Sequence, residues 1–429
     1  MVMNTLPTVL LLAGGDSTRL WPLSDKHSLI FLGKPLAYYA LSQLVRFGFK
    51  NIIVVVSERN KSLFELLKSE FPGVVITLVM QEDRRGMAGA VLSAKKYIER
   101  NPVLIVGPSD VFEDTLVSDF VNYLPKVQDG MLTGIHLNDY FPGGYLKVLN
   151  DKVVSIIEKP EREKRGSNIV RLIFDYFKDT SDFLKILQNT ESKNDDIYEK
   201  AIGILIGKKA NISFLSYTGF WGHVKYPWDV LTLSSYFLSK ITNQTIKARE
   251  IAKSATIRGP VIIESGSRVL DHAVIIGPTY IGKNCIVGNN TLIRESIIGE
   301  GSVVGFASEV ARSVVGNNCY FHNNYVGDSV ISDHVSMGAM ATTANFRLDQ
   351  KSVSSAVNKQ KLDTGKVKLG SIIGQMSKVG VHAALMPGIK IGKNSFISSG
   401  AIVESDVPDN SFYKSEINFK LVTNKHSKK

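Results

Sequence analysis

A glycine pair followed by an arginine is the first feature of this chain that could do chemistry. Gly14 and Gly15 directly follow the apolar run at residues 9–13, and Arg19 lies four residues further on. Glycines at the end of a strand let backbone N–H groups approach an anion, and a guanidinium can hold a phosphate through two parallel hydrogen bonds. The segment therefore predicts a phosphate-binding loop.

A histidine occupies an unusual place in a repeat that fills the second half of the chain. Beyond residue 250 an aliphatic residue returns about every six positions, and a glycine often follows it directly, as at Gly288 and Gly305. The residue after Phe321 is instead His322. An imidazole with a pKa of about 6.5 suits a general base at neutral pH, although a lone histidine is more often structural. The spacing alone leaves both interpretations open.

The elements that would position these residues differ between the two halves of the chain. Strands spaced by helices predict an α/β domain with a largely parallel sheet, in which ligands bind at the carboxyl ends of the strands. Gly14 follows the first such end. Up to about residue 245, apolar runs typical of buried strands alternate with helical stretches such as 35–47 and 61–70, the runs lying at residues 8–13, 51–56, 74–80 and 103–106.

The hexapeptide repeat predicts a second architecture. It is typical of a parallel β-helix with three hexads in each coil, whereas a β-sandwich would alternate with period two. We expect domains at 1–245 and 250–408, a cationic loop insertion at 346–366 that could receive phosphate groups, and a basic tail at 409–429. The register drifts after residue 293 and recovers from Val367 to Val403. Its first seven aliphatic residues are Ile257, Ile263, Val269, Ile275, Ile281, Val287 and Ile293.

Composition narrows the possible classes of function. The chain has 429 residues, 44% of them hydrophobic, a net charge of +11 and two cysteines. Two cysteines cannot form a disulfide framework, the start shows no secretory pattern, and the apolar run there is too short for a membrane helix, so we expect a cytoplasmic protein. The positive charge suits an anionic partner. Because no RRM, zinc-finger or helix-turn-helix pattern accompanies it, we expect phosphorylated small molecules rather than nucleic acid or a membrane.

Residues 8–240 resemble the sugar-1-phosphate nucleotidylyltransferases. Residues 14–20 are similar to the family signature Gly-Gly-x-Gly-Thr-Arg-Leu, and four later segments follow in the family's order. The resemblance implies attack of a sugar phosphate on the α-phosphorus of a nucleoside triphosphate, with Mg²⁺ as the cofactor. It further implies triphosphate contacts at Gly14, Gly15 and Arg19, nucleobase contacts at Gln81 and Gly86, sugar-phosphate contacts at Gly144, Glu158 and Lys159, and metal ligands at Asp110 and His223.

The chain departs from that family pattern at four positions. Imidazole suits softer metals than Mg²⁺. The loss of a lysine removes a positive charge that would contact the substrate, and Lys26 or Lys225 could substitute for it. We therefore expect the fold to persist with weakened or altered nucleotidyl transfer. The departures are Ser17 for the third loop glycine, Ser28 for a lysine, Met87 for a threonine and His223 for the second metal aspartate.

Residues 255–408 resemble the acetyltransferase half of archaeal GlmU-like bifunctional enzymes, with a Rossmann-like nucleotidyltransferase domain before a left-handed β-helix. The segment 321–330 and the segment 338–351 carry this resemblance. It implies acetyl transfer from acetyl-CoA to an amino sugar, with His322 as the base, Tyr325 and Asn345 orienting the sugar or stabilising the oxyanion, and Lys351 meeting a phosphate. Met340 replaces a glycine of that pattern, and Ser354 stands where another lysine is expected.

Three functions remain open from the sequence. The first is a bifunctional enzyme that acetylates a hexosamine 1-phosphate and transfers a nucleotidyl group, with UTP as the expected nucleotide, a hexosamine or hexose 1-phosphate as the acceptor, and UDP-N-acetylglucosamine biosynthesis as its role. The second is a nucleotidylyltransferase whose β-helix serves assembly or regulation. The third is a catalytically silent regulatory subunit. The resemblance also implies a homotrimer.

Overall fold

The computed structural model describes residues 6–416 and 420–423. The chain forms two compact units. The first unit contains Met1–Thr18, Asp25–Ile30 and Lys34–Val224, and the second contains Arg19–Ser24, Phe31–Gly33 and Lys225–Lys429. Across the described ranges, no helix is both long enough and apolar enough to span a membrane.

The first unit is built on a nine-stranded mixed sheet, which confirms the α/β prediction. Its first four strands are parallel to one another, and Ile169–Phe177 then joins Val103–Val106 in the antiparallel sense. Because the parallel strands end at the same edge, the loops that follow them meet there. In spatial order the strands are Val75–Met80, Asn51–Val56, Thr8–Leu12, Val103–Val106, Ile169–Phe177, Gly130–His136, Ile212–Tyr217, Lys152–Glu158 and Gly144–Leu149.

Helices cover both faces of this sheet. Successive side chains of a strand point to opposite faces, so Val9 and Leu11 lie in one apolar cluster with Leu41, whereas Leu10 lies in another with Val91. The helices are α1 (Leu36–Arg46), α2 (Lys61–Lys68), α3 (Gly86–Ser93), α4 (Lys95–Ile98), α5 (Asp114–Tyr123), α6 (Ser181–Asn189) and α7 (Ile197–Gly207), with α8 (Asp229–Ser239) in the second unit. Short 3₁₀ turns lie at Thr18–Leu20, Lys26–Ser28, Leu124–Lys126 and Arg162–Lys164, and short strands pair Ile30–Phe31 with Lys34–Pro35 and Val111–Phe112 with Trp221–Gly222.

The second unit is a parallel β-helix with three sheets, as the repeat predicts. We name the sheets faces A, B and C. Face A contains Thr245–Ile246, Val261–Ile263, Thr279–Ile281, Ile297–Ile298, Val314–Val315, Val330–Ile331, Ile372–Ile373 and Lys390–Ile391. Face B contains Glu250–Ile251, Arg268–Val269, Ile286–Val287, Val303–Val304, Tyr320–Phe321, Ser336–Met337, Lys378–Val379, Phe396–Ile397 and Phe412–Tyr413. Face C contains Thr256–Arg258, Val274–Ile276, Leu292–Arg294, Glu309–Ala311, Tyr325–Gly327, Thr342–Thr343, Ala384–Leu385 and Ile402–Val403.

The repeated aliphatic residues form the core of this β-helix, with one exception. Ile263 to Val403 at the repeat positions pack into a single buried cluster, whereas Val367 is 48% exposed and lies outside it. The drift of the repeat has a simple cause. Ile281 pairs with Ile298, and Val315 with Ile331, so these coils are one or two residues shorter than three full hexads.

A hairpin interrupts the coil between face C and face A. Its strands are Ser354–Val357 and Gln360–Asp363, and a bridge between Phe346 and Lys368 closes its base. The paired coil strands run from residue 245 to residue 413, a few residues beyond the predicted 250–408 on each side. Residues 417–419 and 424–429 of the predicted tail lie outside the described residues.

Candidate functional site

The glycine loop lies against the end of a neighbouring parallel strand. A Cβ at Gly14 would lie 1.9 Å from Oε1 of Gln81, so only glycine fits there. The Gln81 Nε2 donates to the carbonyls of Asp83 (2.9 Å) and Gly86 (3.2 Å). Gly14, Gln81 and Gly86 are therefore brought together, whereas Gly15 is exposed with open space at its Cα.

Buried polar side chains hold the glycine loop from the interior of the unit. His27 is fully buried, with Nδ1 2.9 Å from Asp25, and Asn60 donates to the carbonyl of Ala13 at 2.8 Å. Burial lowers the pKa of His27 despite the opposing effect of Asp25, so the imidazole is neutral near pH 7. His27 therefore cannot supply the missing substrate cation. The sequence did not suggest this support, because Asn60 lies far along the chain from Asp25 and His27.

Ser17 occupies the position of the third loop glycine under strain. Its φ is +50°, in the left-handed region that favours glycine. Its Oγ is buried and has no hydrogen-bond partner within the ranges described. Arg59 donates to the carbonyl of the preceding Asp16 and so holds the loop from outside. Arg19 follows in the exposed 3₁₀ turn Thr18–Leu20.

The two expected metal ligands flank one short ladder. Trp221 pairs with Phe112 and Gly222 with Val111, and the continued register sets Asp110 opposite His223. Burial raises the pKa of Asp110 to about 6, against the lowering effect of the Lys26 charge. The His223 ring packs 5.0 Å from that of Phe141 and 4.9 Å from that of Trp221.

The expected sugar-phosphate residues lie together on a second ladder. Gly144 pairs with Glu158, and Lys159 Nζ lies 2.8 Å from Glu158 Oε1. The carboxylate of Asp195 also lies near Lys159 and Gly86. It is 4.0 Å from Lys159 Nζ, and one of its oxygens would lie 2.1 Å from a Cβ at Gly86. This cluster joins the Gly86 segment to the sugar-phosphate residues.

A buried ion cluster that the sequence analysis missed lies under Gly144. Arg171 forms ion pairs with Asp175 (2.5 Å) and Glu199 (2.6 Å), and Tyr198 donates to Asp175 at 2.9 Å. A Cβ at Gly144 would lie 3.4 Å from Arg171 Nε. The sequence signal for this cluster was a pair of charged residues, Arg171 and Asp175, within the apolar strand Ile169–Phe177. Residues four positions apart in a strand lie on the same face of the sheet.

In five successive coils of the β-helix, His322 takes a position that is otherwise glycine. Face B pairs Val287, Val304, Phe321, Met337 and Val379 in successive coils, and the residues that follow them are Gly288, Gly305, His322, Gly338 and Gly380. The His322 ring is exposed and packs 4.8 Å from that of Tyr320. Buried Asn324 fixes this corner by donating to the carbonyls of Gly338 and Ala341.

Tyr325 and Asn345 meet over Gly327 on face C. Asn345 Nδ2 donates to Tyr325 Oη at 3.1 Å and to Asp328 Oδ2. Arg312 donates to both oxygens of Asp328 at 2.7 Å. The amide of Asn345 is thus oriented by a carboxylate that is itself held by two charge-assisted hydrogen bonds.

Lysines of the insertion differ in their placement. Lys351 is exposed, and its backbone N–H donates to Asp349. Lys366 instead donates to Thr232 Oγ1 at 3.0 Å, and burial lowers the pKa of its ammonium against the attraction of Asp229 and Asp328. The Lys366 ammonium is therefore held against Thr232, and the assignment of a phosphate contact to Lys351 stays a prediction.

The structure unites some predicted residues of the β-helix and not others. A hydrogen bond joins Tyr325 to Asn345. Within the described part of one chain, no hydrogen bond joins the imidazole of His322 or the ammonium of Lys351 to that pair.

Comparisons with known proteins cover both units. The nucleotidyl transferase family model matches residues 8–236, and the GMPPB C-terminal domain model matches residues 257–362. The chain is 32% identical over 423 residues to the bifunctional protein GlmU of Methanococcus maripaludis, covering 95% of this chain and 97% of the relative. It is 30% identical over 413 residues to a bifunctional sugar-1-phosphate nucleotidylyltransferase/acetyltransferase of Sulfurisphaera tokodaii, covering 94% of this chain and 99% of the relative. A solved UDP-glucose pyrophosphorylase from Acinetobacter baumanii is 18% identical, covers 55% of this chain and 94% of its own, and gives a TM-score of 0.47.

Proposed function

This chain belongs to the nucleotidyl transferase family and to its bifunctional GlmU members, and on that premise we propose that it performs two transfers on one amino sugar. At the β-helix it acetylates a hexosamine 1-phosphate with acetyl-CoA. In the first unit it joins the sugar 1-phosphate to a nucleotide, with UTP as the expected nucleoside triphosphate. One pathway then accounts for both units.

Nucleotidyl transfer needs charge and positioning more than covalent chemistry. The backbone N–H groups of Gly14 and Gly15 and the guanidinium of Arg19 bind the triphosphate, and Lys26 adds a cation near Asp110. Lys159, held by Glu158, binds the sugar phosphate, whose oxygen attacks the α-phosphorus as pyrophosphate leaves. Gln81 holds the loop of Gly14 and orients the Gly86 segment toward the base.

Asp110, at the end of the short ladder of Val111–Phe112 and Trp221–Gly222, offers one carboxylate that suits Mg²⁺. Mg²⁺ is usually held by one or two carboxylates with substrate phosphates, rather than by an all-protein cage. The described residues contain no group of three or more His, Cys, Asp or Glu side chains that could hold a metal alone. We assign the ion to Asp110 and phosphate oxygens, with His223 beside it, and the bound ion would neutralise phosphate charge.

Acetyl transfer needs a base for the sugar ammonium. His322 accepts that proton, the freed amine attacks the thioester carbonyl, and the coenzyme A thiolate leaves. Tyr325 and Asn345 supply hydrogen bonds to the sugar or to the oxyanion. Because the β-helices of the acetyltransferases that this chain resembles usually pack as trimers, we propose a homotrimer in which adjacent β-helices complete the site.

The observation that carries the acetyl-transfer half is His322 in its column of glycines. The test is thiol release from acetyl-CoA with glucosamine 1-phosphate, comparing wild type with His322→Ala. His334→Asn is the matched control, because His334 is an exposed corner histidine with positive φ, which asparagine tolerates. Release that survives in His322→Ala, or fails in the control, would contradict the assignment.

A second candidate is favoured by the match to the GMPPB C-terminal domain model. In it the β-helix serves only assembly or regulation, and the chain is a nucleotidylyltransferase alone. Pyrophosphate release from UTP without any thiol release from acetyl-CoA would establish this alternative. Asp110→Asn should abolish the pyrophosphate release, whereas Asp182→Asn, at an exposed side chain, should not.

A further inference from the structure

A buried lysine interrupts the apolar column on face A. Lys390 pairs with Ile372, which pairs with Val330, which in turn pairs with Val314. These three apolar residues are nearly inaccessible, and Lys390 is likewise only 3% exposed. A buried ammonium is costly unless it is paired and hydrogen-bonded, so its partners are informative.

The Lys390 ammonium joins three segments of the second unit. It lies 3.0 Å from Asp406 Oδ2, donates to the carbonyl of Ala356 in the hairpin, and lies 5.2 Å from the centroid of the Trp21 ring. The last contact is a cation–π interaction with the best aromatic acceptor. One cation therefore holds both the hairpin and the segment Arg19–Ser24.

A second residue of the last coil holds the same tryptophan. Trp21 Nε1 donates to Asp409 Oδ1 at 2.8 Å, and the same oxygen accepts from the backbone N–H of Lys393 at 3.0 Å. The ring of Trp21 is thus fixed at its face by Lys390 and at its N–H by Asp409. Both contacts are made by the end of the β-helix.

The segment around Trp21 is stiff. Leu20 and Leu23 are buried, and the N–H of Leu23 donates to the carbonyl of Leu20 at 3.0 Å. Arg19 belongs to the 3₁₀ turn that ends at Leu20, so the placement of its backbone follows the placement of Trp21.

We propose that Lys390 and Asp409 are positioning residues for nucleotidyl transfer, acting on Arg19 through Trp21. This inference rests on the proposed nucleotidyl transfer. The last coils of the β-helix thereby hold the segment Arg19–Ser24, and through Arg19 they affect the affinity for the nucleoside triphosphate. Apart from Trp21, Asp409 holds Lys393 of its own coil, whereas Lys390 also anchors the hairpin through Ala356.

The test uses the full chain and two readouts for UTP, namely its KM in pyrophosphate release and its Kd by equilibrium dialysis. Loss of one hydrogen bond should raise both about 3- to 10-fold in Asp409→Ala. Asp409→Asn should recover most of the affinity, since an amide oxygen still accepts from the indole. Thiol release from acetyl-CoA should be unchanged in Asp409→Ala and reduced in Lys390→Met.

A double variant tests the route through the indole. Trp21→Phe keeps a ring but removes the N–H, so Trp21→Phe/Asp409→Ala should bind UTP no more weakly than either single variant. Additive losses, an unchanged Kd, or equal losses in both activities of Asp409→Ala would overturn the inference. If the wild type binds UTP without turnover, the proposed transfer fails while the Kd comparison still decides the positioning. If it binds none of the four common nucleoside triphosphates, both are overturned.

Discussion

Replacing Arg171 by methionine should destabilise the first unit in a pH-dependent way. Asp175 is fully buried and Glu199 is 6% exposed, and both depend on the guanidinium that lies 2.5 and 2.6 Å away. Burial raises the pKa of Asp175 and that of Glu199, and Arg171 opposes both increases. Methionine fills much of the same volume but leaves the two carboxyls without that cation.

The expected loss is large for one substitution. Removing one partner of a buried ion pair costs about 3–5 kcal/mol in the free energy of unfolding. Both carboxyls have folded-state pKa values above their unfolded ones, so the folded state binds protons more tightly. The free energy of unfolding therefore falls as the pH rises from the pKa of each carboxyl in the unfolded chain through its higher pKa in the folded protein. Without Arg171 those pKa values rise further, so the deficit relative to wild type should be larger at about pH 8 than at about pH 5.

Urea unfolding at these two pH values measures the effect. The variant Arg171→Met/Asp175→Asn/Glu199→Gln should recover most of the stability, because its buried groups are neutral. Lys164→Met is the control, since Lys164 forms only an exposed pair and should change the free energy of unfolding by about 0.5 kcal/mol or less. A deficit below about 1 kcal/mol, or one that is equal at both pH values, would refute the reasoning.

Two further substitutions test local geometry. Ser17→Gly should raise the free energy of unfolding by about 1 kcal/mol, measured by thermal denaturation. The substitution relieves a φ of +50° and removes a buried hydroxyl that has no partner in the described structure. A lower melting temperature would contradict this prediction. Gly327→Ala should reduce thiol release from acetyl-CoA at least about tenfold, because its Cβ would lie 2.5 Å from Tyr325 Oη and 2.7 Å from Asn345 Nδ2. Gly203→Ala, with open space at its Cβ, is the matched control, and equal effects of the two would argue against a local displacement.

The sequence predicted the architecture of the β-helix well because one residue in six must point into each coil. Even the drift of its register had a structural meaning, since the coils there are shorter by one or two residues. Val367 shows the limit of the pattern. It keeps the spacing but precedes the return of the chain to face A, and it is exposed.

The sequence predicted less about which polar side chains meet. Ser28 stands where a substrate lysine was expected, and only the full burial of the neighbouring His27 shows that this histidine supports the loop. The resemblance assigns a phosphate contact to the exposed Lys351, whereas only the tertiary structure shows that Lys366 lies against Thr232. Such contacts join residues from different coils and helices, so the local spacing of residues in the sequence does not predict them.

By itself, the sequence determined where strands end in glycine, where the chain changes from helical to hexad periodicity, and which coil carries a histidine in place of glycine. These are local properties, because backbone sterics and burial of one side chain in each repeat act over a few residues. Tertiary structure alone decided that Arg171 and Lys390 are buried cations with carboxylate partners, and that Trp21 is held by Asp409. The physical reason is that a buried charge is stable only with partners, and folding supplies them from distant parts of the chain.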